Sequence, residues 1–306
     1  ACLAWGRAER LSRLATRITA MNVWALDGNP YHFDAELFAA KPHPGQQRVA
    51  ERLRFDLRQA GSADETPRNS PRLQDRYSTR CAPHVIGVLE DSLAWLRTFI
   101  EGELNSANDN PLIDPVAGKV MHGGHFYGGH IAFAMDSLKT LVANVADLLD
   151  RQLALLVDPR YSHGLPANLS GASAERAPLN HGYKAVQIGV SAWTAEALKL
   201  TLPASVFSRS TECHNQDKVS MGTIAARDAL RSLELAEQVA AATLIAANQG
   251  VWLRQRAETT VLPAALAEMH GQLGEDFPPL IEDRALEGEL RLCLQRIRAQ
   301  HWSLYA

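Results

Sequence analysis

Apolar residues along this chain recur mostly at intervals of three and four, the spacing that lines one face of an α-helix. Residues 1–27 read as a first helix with Leu3, Trp5, Leu11, Leu14 and Ile18 on its apolar side, ended by Gly28-Asn29-Pro30. Residues 31–44 read as loop, with His32, Pro42, His43 and Pro44, and 45–57 as a short helix. A breaker-rich stretch with Gly61, Pro67, Asn69 and Pro71 predicts a loop over 58–72. Val85, Ile86, Leu89, Leu93, Leu96, Phe99 and Ile100 then mark a helix over 83–104. Residues 130–157 contain neither Gly nor Pro, which predicts a rod of about 40 Å at 1.5 Å per residue. Loop returns over 158–180, followed by a helix over 183–202 that Pro203 stops. A second long rod covers 223–249, and shorter helices cover 262–273 and 286–299, with Pro278-Pro279 between them.

No run alternates with period two, and no hairpin dipeptide joins two apolar runs. The pattern predicts an all-α protein, an elongated bundle of long helices. One rod carries Val239-Ala240-Ala241-Ala242 and Leu244-Ile245-Ala246-Ala247, which leave it no polar side. A helix apolar all round must be buried all round. Neighbouring subunits are the expected source of that burial, hence an oligomer.

Composition narrows the class. With 306 residues, 46% apolar and 21% charged, the chain has the make-up of a soluble globular protein with a sizeable core. A net charge of −3 without like-charge blocks argues against nucleic acid as a partner. Asp136, Lys139, Asp147, Asp150 and Arg151 exclude a membrane-spanning reading of the 130–157 rod. Cys2, Cys81, Cys213 and Cys293 lie far apart without metal-ligand spacing, which favours reduced thiols in a cytoplasm. No signal peptide is visible, and the chain opens uncapped inside an amphipathic helix. That start predicts a longer polypeptide ahead of it.

Candidate chemistry gathers at the ends of the helices. Gln74, Tyr77 and Arg80 are spaced i, i+3 and i+6, so a helical turn there puts them on one side. Arg offers a planar fork for a carboxylate and Tyr a hydroxyl that donates or accepts a proton. The structural alternative is a cap closed by an Asp75–Arg80 ion pair. Asn105, Asn108 and Asn110 surround a turn at Pro111. Asn105 and Asn108 suit helix termination through side-chain-to-backbone bonds, and Asn110 suits a ligand better. His122 and His125, in a glycine loop, lack further metal ligands. The glycines there suit a close backbone approach, with Phe126 packed beside it. Glu212 and Gln216 share a face if their run is helical, and Asp217 suits a helix cap. Cys213 and His214, as sequence neighbours, would point apart on a helix and make a poor nucleophile pair.

In this order the clusters resemble the aromatic amino-acid ammonia-lyase and aminomutase family, which uses a methylidene-imidazolone electrophile built from an internal Ala-Ser-Gly. The matching pieces are Gly28-Asn29-Pro30, Pro42-His43-Pro44-Gly45-Gln46, and Gln74-Asp75-Arg76-Tyr77-Ser78-Thr79-Arg80. They continue with Asn105 through Asp114, His122-Gly123-Gly124-His125-Phe126, Gly164-Leu165-Pro166, and His214-Asn215-Gln216-Asp217 with Val219-Ser220-Met221-Gly222. The resemblance implies a single fumarase/aspartase-like helical lyase domain over 1–306, matching the C-terminal three-fifths of a family member and assembling as a homotetramer. It further implies that Arg80, helped by Asn110, holds the substrate carboxylate. Tyr77 would sit at the amine and electrophile and Gln74 would order that cluster. Phe126 would wall the site, and Glu212, Asn215 and Gln216 would complete the polar pocket. No Ala-Ser-Gly occurs in the 306 residues, so the electrophile is expected from a segment outside them. Histidine-specific relatives carry Glu at the position of Gln216, and the run from Glu212 to Asp217 looks more like the phenylalanine and tyrosine enzymes. His125 stands where Asn is usual, and Lys218 at a position that varies among branches. The expected activity is loss of ammonia from phenylalanine or tyrosine, the alternatives being a 2,3-aminomutase or a non-catalytic lyase-like scaffold.

Overall fold

The structure, a computed structural model, describes residues 1–58, 73–257 and 261–305. The breaker-rich loop expected over 58–72 lies outside the described residues apart from its first position. The helices are α1 (Cys2–Ala25), α2 (Ala35–Ala39), α3 (Pro44–Leu57), α4 (Tyr77–Arg80), α5 (Ala82–Leu104), α6 (Gly129–Val157), α7 (Lys184–Lys199), α8 (Gly222–Ala257), α9 (Ala264–Asp276) and α10 (Glu287–Arg298). Helix α1, α5, α6 and α8 lie against one another as the main pillars and share one apolar core. The all-α expectation holds, and the heptad-like spacing in α5 places Ile86, Leu89, Leu93 and Leu96 in that core.

Three expectations change. The described residues include a two-stranded antiparallel sheet, β1 (Leu112–Asp114) with β2 (Lys119–Met121), paired Leu112 to Met121. Three-residue strands are too short to show alternation, and Asp114 Oδ1 closes the turn by accepting from the Val116 and Ala117 amides at 2.9 and 3.0 Å. Residues 31–44 contain the short helix α2, capped by Asp34. Helix α8 runs past 249 to Ala257, because Gly250 is a point of close approach and not a stop. A Cβ there would stand 3.2 Å from Ala25 Cβ and 3.4 Å from Leu156 Cδ2. A turn further on, Arg254 donates to the carbonyls of Ala25, Ser162 and His163 at 2.8–3.0 Å.

Helix α8 also corrects the argument for an oligomer. Val239 to Ala247 are buried on every side within the single chain, none more than 3% exposed. Helices α1, α6, α7, α9 and α10 surround it. Its apolar girdle therefore gives no reason to invoke a second subunit.

Helices α3 and α5 cross in close backbone contact at Gly45 and Gly87. A Cβ on Gly87 would lie 2.6 Å from the Gln46 backbone nitrogen, and one on Gly45 2.3 Å from the Gly87 carbonyl oxygen. The Gly45 amide donates to Asp91 Oδ1 at 2.6 Å across the crossing. Gly87→Ala is expected to lower stability by about 2 kcal/mol, after the roughly 1 kcal/mol that Ala gains over Gly in a helix. Urea unfolding followed by circular dichroism checks it, and an unchanged midpoint would contradict the close crossing.

The last residues strap the bundle shut. Tyr305 donates to Asp56 Oδ2, which Arg17 Nε also meets at 2.9 Å. The guanidinium groups of Arg17 and Arg52 each stand 5.0 Å from the Tyr305 ring centre. Burial pushes the Asp56 carboxyl up to about 6 against the pull of Arg17 and Tyr305.

Candidate active site

The turn bearing Tyr77 and Arg80 is a short piece of helix held from beneath. Gln152, buried in α6, donates to the Ser78 carbonyl oxygen at 2.9 Å and accepts from Asn22 Nδ2 at 2.9 Å, tying α4 to α1 and α6. Gln74 is exposed and precedes the helix, so the i, i+6 face expected for Gln74, Tyr77 and Arg80 reduces to Tyr77 and Arg80. The Arg80 guanidinium carbon stands 4.8 Å from the Tyr77 ring centre. Tyr77 itself is 72% exposed. Arg80 Nε is buried with no hydrogen-bond partner among the described residues.

The Asp75–Arg80 ion pair, the structural alternative, is not what Asp75 makes. Its Oδ2 accepts from the Asn29 amide at 2.7 Å and lies 3.7 Å from His32 Nε2, while its own amide donates to His32 Nε2 at 3.0 Å. Accepting at Nε2 suits a neutral imidazole. Burial lowers the His32 pKa, Asp75 opposes this and Arg80 adds to it. Asp75 thus fastens the Gly28-Asn29 turn and leaves the guanidinium free, a role that Asp75 as a cap partner did not suggest.

The second group of residues lies where α5 ends and α6 and α8 begin. Asn105 Nδ2 donates to the Glu101 carbonyl oxygen at 2.8 Å and finishes α5 as expected, whereas Asn108 Nδ2 reaches a side chain, Glu103 Oε1 at 3.2 Å, and not the backbone. Asn110 Oδ1 accepts from the Gly123 amide at 2.9 Å and joins the asparagine turn to the His122–His125 loop. Phe126 beside it is 58% exposed and not packed against a neighbour as a core ring would be. Gly222 at the head of α8 abuts Gly128 at the head of α6, a Cβ on Gly222 standing 3.3 Å from the Gly128 carbonyl oxygen.

Glu212 and Gln216 sit in a non-helical loop, which overturns their shared helical face. Thr211 and Gln216 pair as an isolated antiparallel bridge, and Thr211 Oγ1 donates to Gln216 Oε1 at 3.2 Å. Asn215 Nδ2 donates to Glu212 Oε2 at 3.0 Å. Glu212, Cys213 and His214 all take left-handed backbone angles, with φ of 52°, 53° and 68°. Such a conformation costs non-glycine residues about 1–2 kcal/mol each, and strain of this kind gathers at functional sites. Asp217 does not cap α8, which starts at Gly222. His214 Nδ1 is 2.8 Å from Ser210 Oγ and engages no thiol in that bond.

Within one chain these two groups do not meet. Ser78 rests on Gln152, and Gly128 immediately precedes α6. The 23 intervening residues of α6 span about 35 Å, and α5, which runs from Arg80 back to the asparagine turn, spans a similar length. Arg80 and Tyr77 occupy one end of the bundle. Asn110, Phe126, Glu212, Asn215 and Gln216 occupy the other. Among the described residues, no group of three or more His, Cys, Asp or Glu could hold a metal ion, and no helix is long and apolar enough to cross a membrane. The residues that sequence reasoning missed are Gln152 and Asp75, the braces of the Arg80 turn. Gln152 was legible as a polar residue on the apolar stripe of α6.

The family described as aromatic amino acid lyase matches residues 1–275. Histidine ammonia-lyase of Caenorhabditis elegans is 36% identical over 295 residues, covering 95% of this chain and 42% of the worm protein. Tyrosine ammonia-lyase of Cereibacter sphaeroides is 36% identical over 298 residues, covering 92% of this chain and 56% of that protein. The solved tyrosine aminomutase of Streptomyces globisporus superposes with a TM-score of 0.88 at 30% identity, covering 98% of this chain and 59% of that one. This chain spans about half the length of the curated relatives it matches. Histidine and tyrosine enzymes match equally well, so overall identity does not bear out the expected closeness to phenylalanine and tyrosine enzymes. On this match, and on a bundle shared with solved relatives, the chain belongs to the aromatic amino acid lyase family.

Proposed function

We propose that this chain supplies the carboxylate-gripping part of an ammonia-lyase that acts on an aromatic amino acid. The observation that carries the reading is Arg80: a guanidinium beside Tyr77, with a buried Nε that no group among the described residues satisfies. A buried donor left open loses the hydration it would have in water, and a substrate carboxylate restores that bond. Gln152 and Asp75 keep the turn in place, so the fork is set before the acid arrives.

Arg80 fixes the acid end, and Tyr77, stacked against it, presents its hydroxyl toward the α-amine. Gln74 flanks this turn and orders it. Asn110, Phe126, Glu212, Asn215 and Gln216 belong to the same kind of site but stand about 35 Å away in the chain. A complete pocket therefore takes each half from a different copy, and a homotetramer is the proposed assembly. The exposure of Tyr77 and Phe126 supports this, since both rings await a cover. The methylidene-imidazolone group supplies an electrophile for the amine. The residues present contain no Ala-Ser-Gly from which to form it, so this chain does not build it alone. All 306 residues are read as one helical lyase unit, with its four unpaired thiols suited to a reducing, cytoplasmic compartment.

Gln216 supports a carbocyclic ring over imidazole, because a neutral amide there lacks the carboxylate that histidine-specific relatives carry. The test is an assay of the full-length protein with phenylalanine, tyrosine and histidine in turn. Growth of cinnamate or coumarate absorbance is expected. Urocanate from histidine would overturn the ring assignment, and no product from any of the three would leave the scaffold reading in its place. A β-amino acid in the mixture would identify the aminomutase, which the likeness to tyrosine aminomutase keeps in view.

A further inference from the structure

A second cavity, of about 420 Å³, opens between α1, α10 and the C-terminal segment. Arg10 and Arg13 of α1 and Arg296 of α10 line it, together with Leu14, Trp302 and Tyr305, and no Asp or Glu is among its lining residues. Its cations are unequally engaged. Arg296 forks onto Asp276 at 3.0 and 3.2 Å. Arg13 has only a long contact to Glu9 at 3.4 Å. Arg10 has no ion-pair partner among the described residues. The wall also holds an open donor: Trp302 is 6% exposed, and its Nε1 is buried without a hydrogen-bond partner among the described residues. Leu14, Ile297, Leu304 and the Trp302 indole form an apolar part of the wall, beside polar Gln300, His301 and Ser303.

Two under-used guanidinium groups and an unsatisfied indole N–H call for acceptor oxygens carrying negative charge. The apolar part of the wall, from Leu14, Ile297, Leu304 and the indole, and a volume within the usual range for small-molecule sites call for a body of carbon beside the charge and not a bare ion. We propose that this cavity binds a small organic acid, a single carboxylate on a flat apolar body. Arg10 and Arg13 hold the carboxylate, and the indole N–H of Trp302 donates to it. The site is separate from the Arg80 turn. Arg10 lies twelve residues before Asn22, the α1 brace of that turn, or about 18 Å along the helix. It does not depend on the proposed lyase reading.

The test is isothermal titration of the chain with 2-naphthoate, with 2-naphthamide and inorganic phosphate as the neutral and body-less comparisons. One naphthoate per chain is expected, with naphthamide and phosphate each at least about tenfold weaker. Arg10→Gln and Arg13→Gln should each weaken naphthoate about tenfold, as loss of a charged hydrogen bond does. Trp302→Phe, which keeps the ring and removes the donor, should weaken it about threefold to tenfold. Circular dichroism confirms that each variant is folded. Arg80→Ala, which removes any acid binding at the proposed substrate turn, should still take one naphthoate per chain, in this cavity. Naphthamide binding as tightly as naphthoate, or Arg10→Gln and Arg13→Gln both without effect, overturns the anion site. Phosphate matching naphthoate overturns the apolar half, and loss of binding in Arg80→Ala assigns the signal to the other site and overturns this one.

Discussion

Arg80→Ala in the full-length protein should raise KM for the amino-acid substrate by on the order of 100-fold, with a smaller change in kcat. The size follows from the proposed grip on the carboxylate. Truncating one member of a buried charged pair costs roughly 2–5 kcal/mol of binding, and each 1.4 kcal/mol is a factor of ten. The effect falls on KM because the carboxylate is held alike before and during reaction. Folding should hardly notice. Arg80 Nε makes no hydrogen bond among the described residues, and the turn is fastened through the Ser78 carbonyl and Asp75, not through the guanidinium. Arg80→Lys keeps the charge and loses the fork, so it should fall between the two. Steady-state kinetics with a thermal melt on the same samples decide the matter. A KM within threefold of the parent would mean that the acid end of the substrate sits elsewhere.

Asp136→Ala should destabilise the protein by about 3–5 kcal/mol, the range for breaking a buried pair from one side. Lys139 is fully buried, its Nζ 2.7 Å from Asp136 Oδ1, and it also donates to the Leu202 carbonyl oxygen at 2.9 Å. Among the described residues Asp228 is the only other carboxylate near it, at 3.7 Å, and is too distant to replace Asp136. Asp136 also accepts from the Ala204 and Ser205 amides at 2.9 Å each. Losing it therefore strands a cation and two amides together. Replacing both partners, as Asp136→Ala with Lys139→Met, should recover much of the loss, since no buried charge then remains. Although burial opposes its ionisation, Lys139 and the two amides hold the Asp136 carboxyl below its usual value. A carboxyl with a lowered folded-state pKa stabilises above the unfolded value of about 4, and that contribution disappears as pH falls through the folded value. Urea midpoints across the acid range should show this slope in the parent and not in the double variant. The same carboxylate pins residues 204 and 205, just ahead of the loop that carries Glu212 and Gln216, so local loosening should reach that loop first.

Much of the bundle could be read from residue spacing. Ile86, Leu89, Leu93 and Leu96 recur with the helix period, so one face of α5 had to be buried whatever lay against it. The missed hairpin and the extension of α8 were not legible. Three residues per strand carry no period, and Gly250 means a stop or a close contact depending only on what lies opposite. The site was legible in its residue types and not in its geometry. Gln74, Tyr77 and Arg80 look like one helical face only if the turn is longer than the four residues it has. Glu212 and Gln216 look like another only if their left-handed loop were helix.

The sequence by itself determined the helical class, the order of the rods and the family's polar motifs, because these depend on local spacing and side-chain chemistry. Only the tertiary structure decided that α8 finds its burial inside one chain, that Arg80 keeps an open donor, and that the two groups of site residues stand at opposite ends of α6. Those facts depend on which surfaces face one another. Residues distant along the chain set that, through packing that no local pattern encodes.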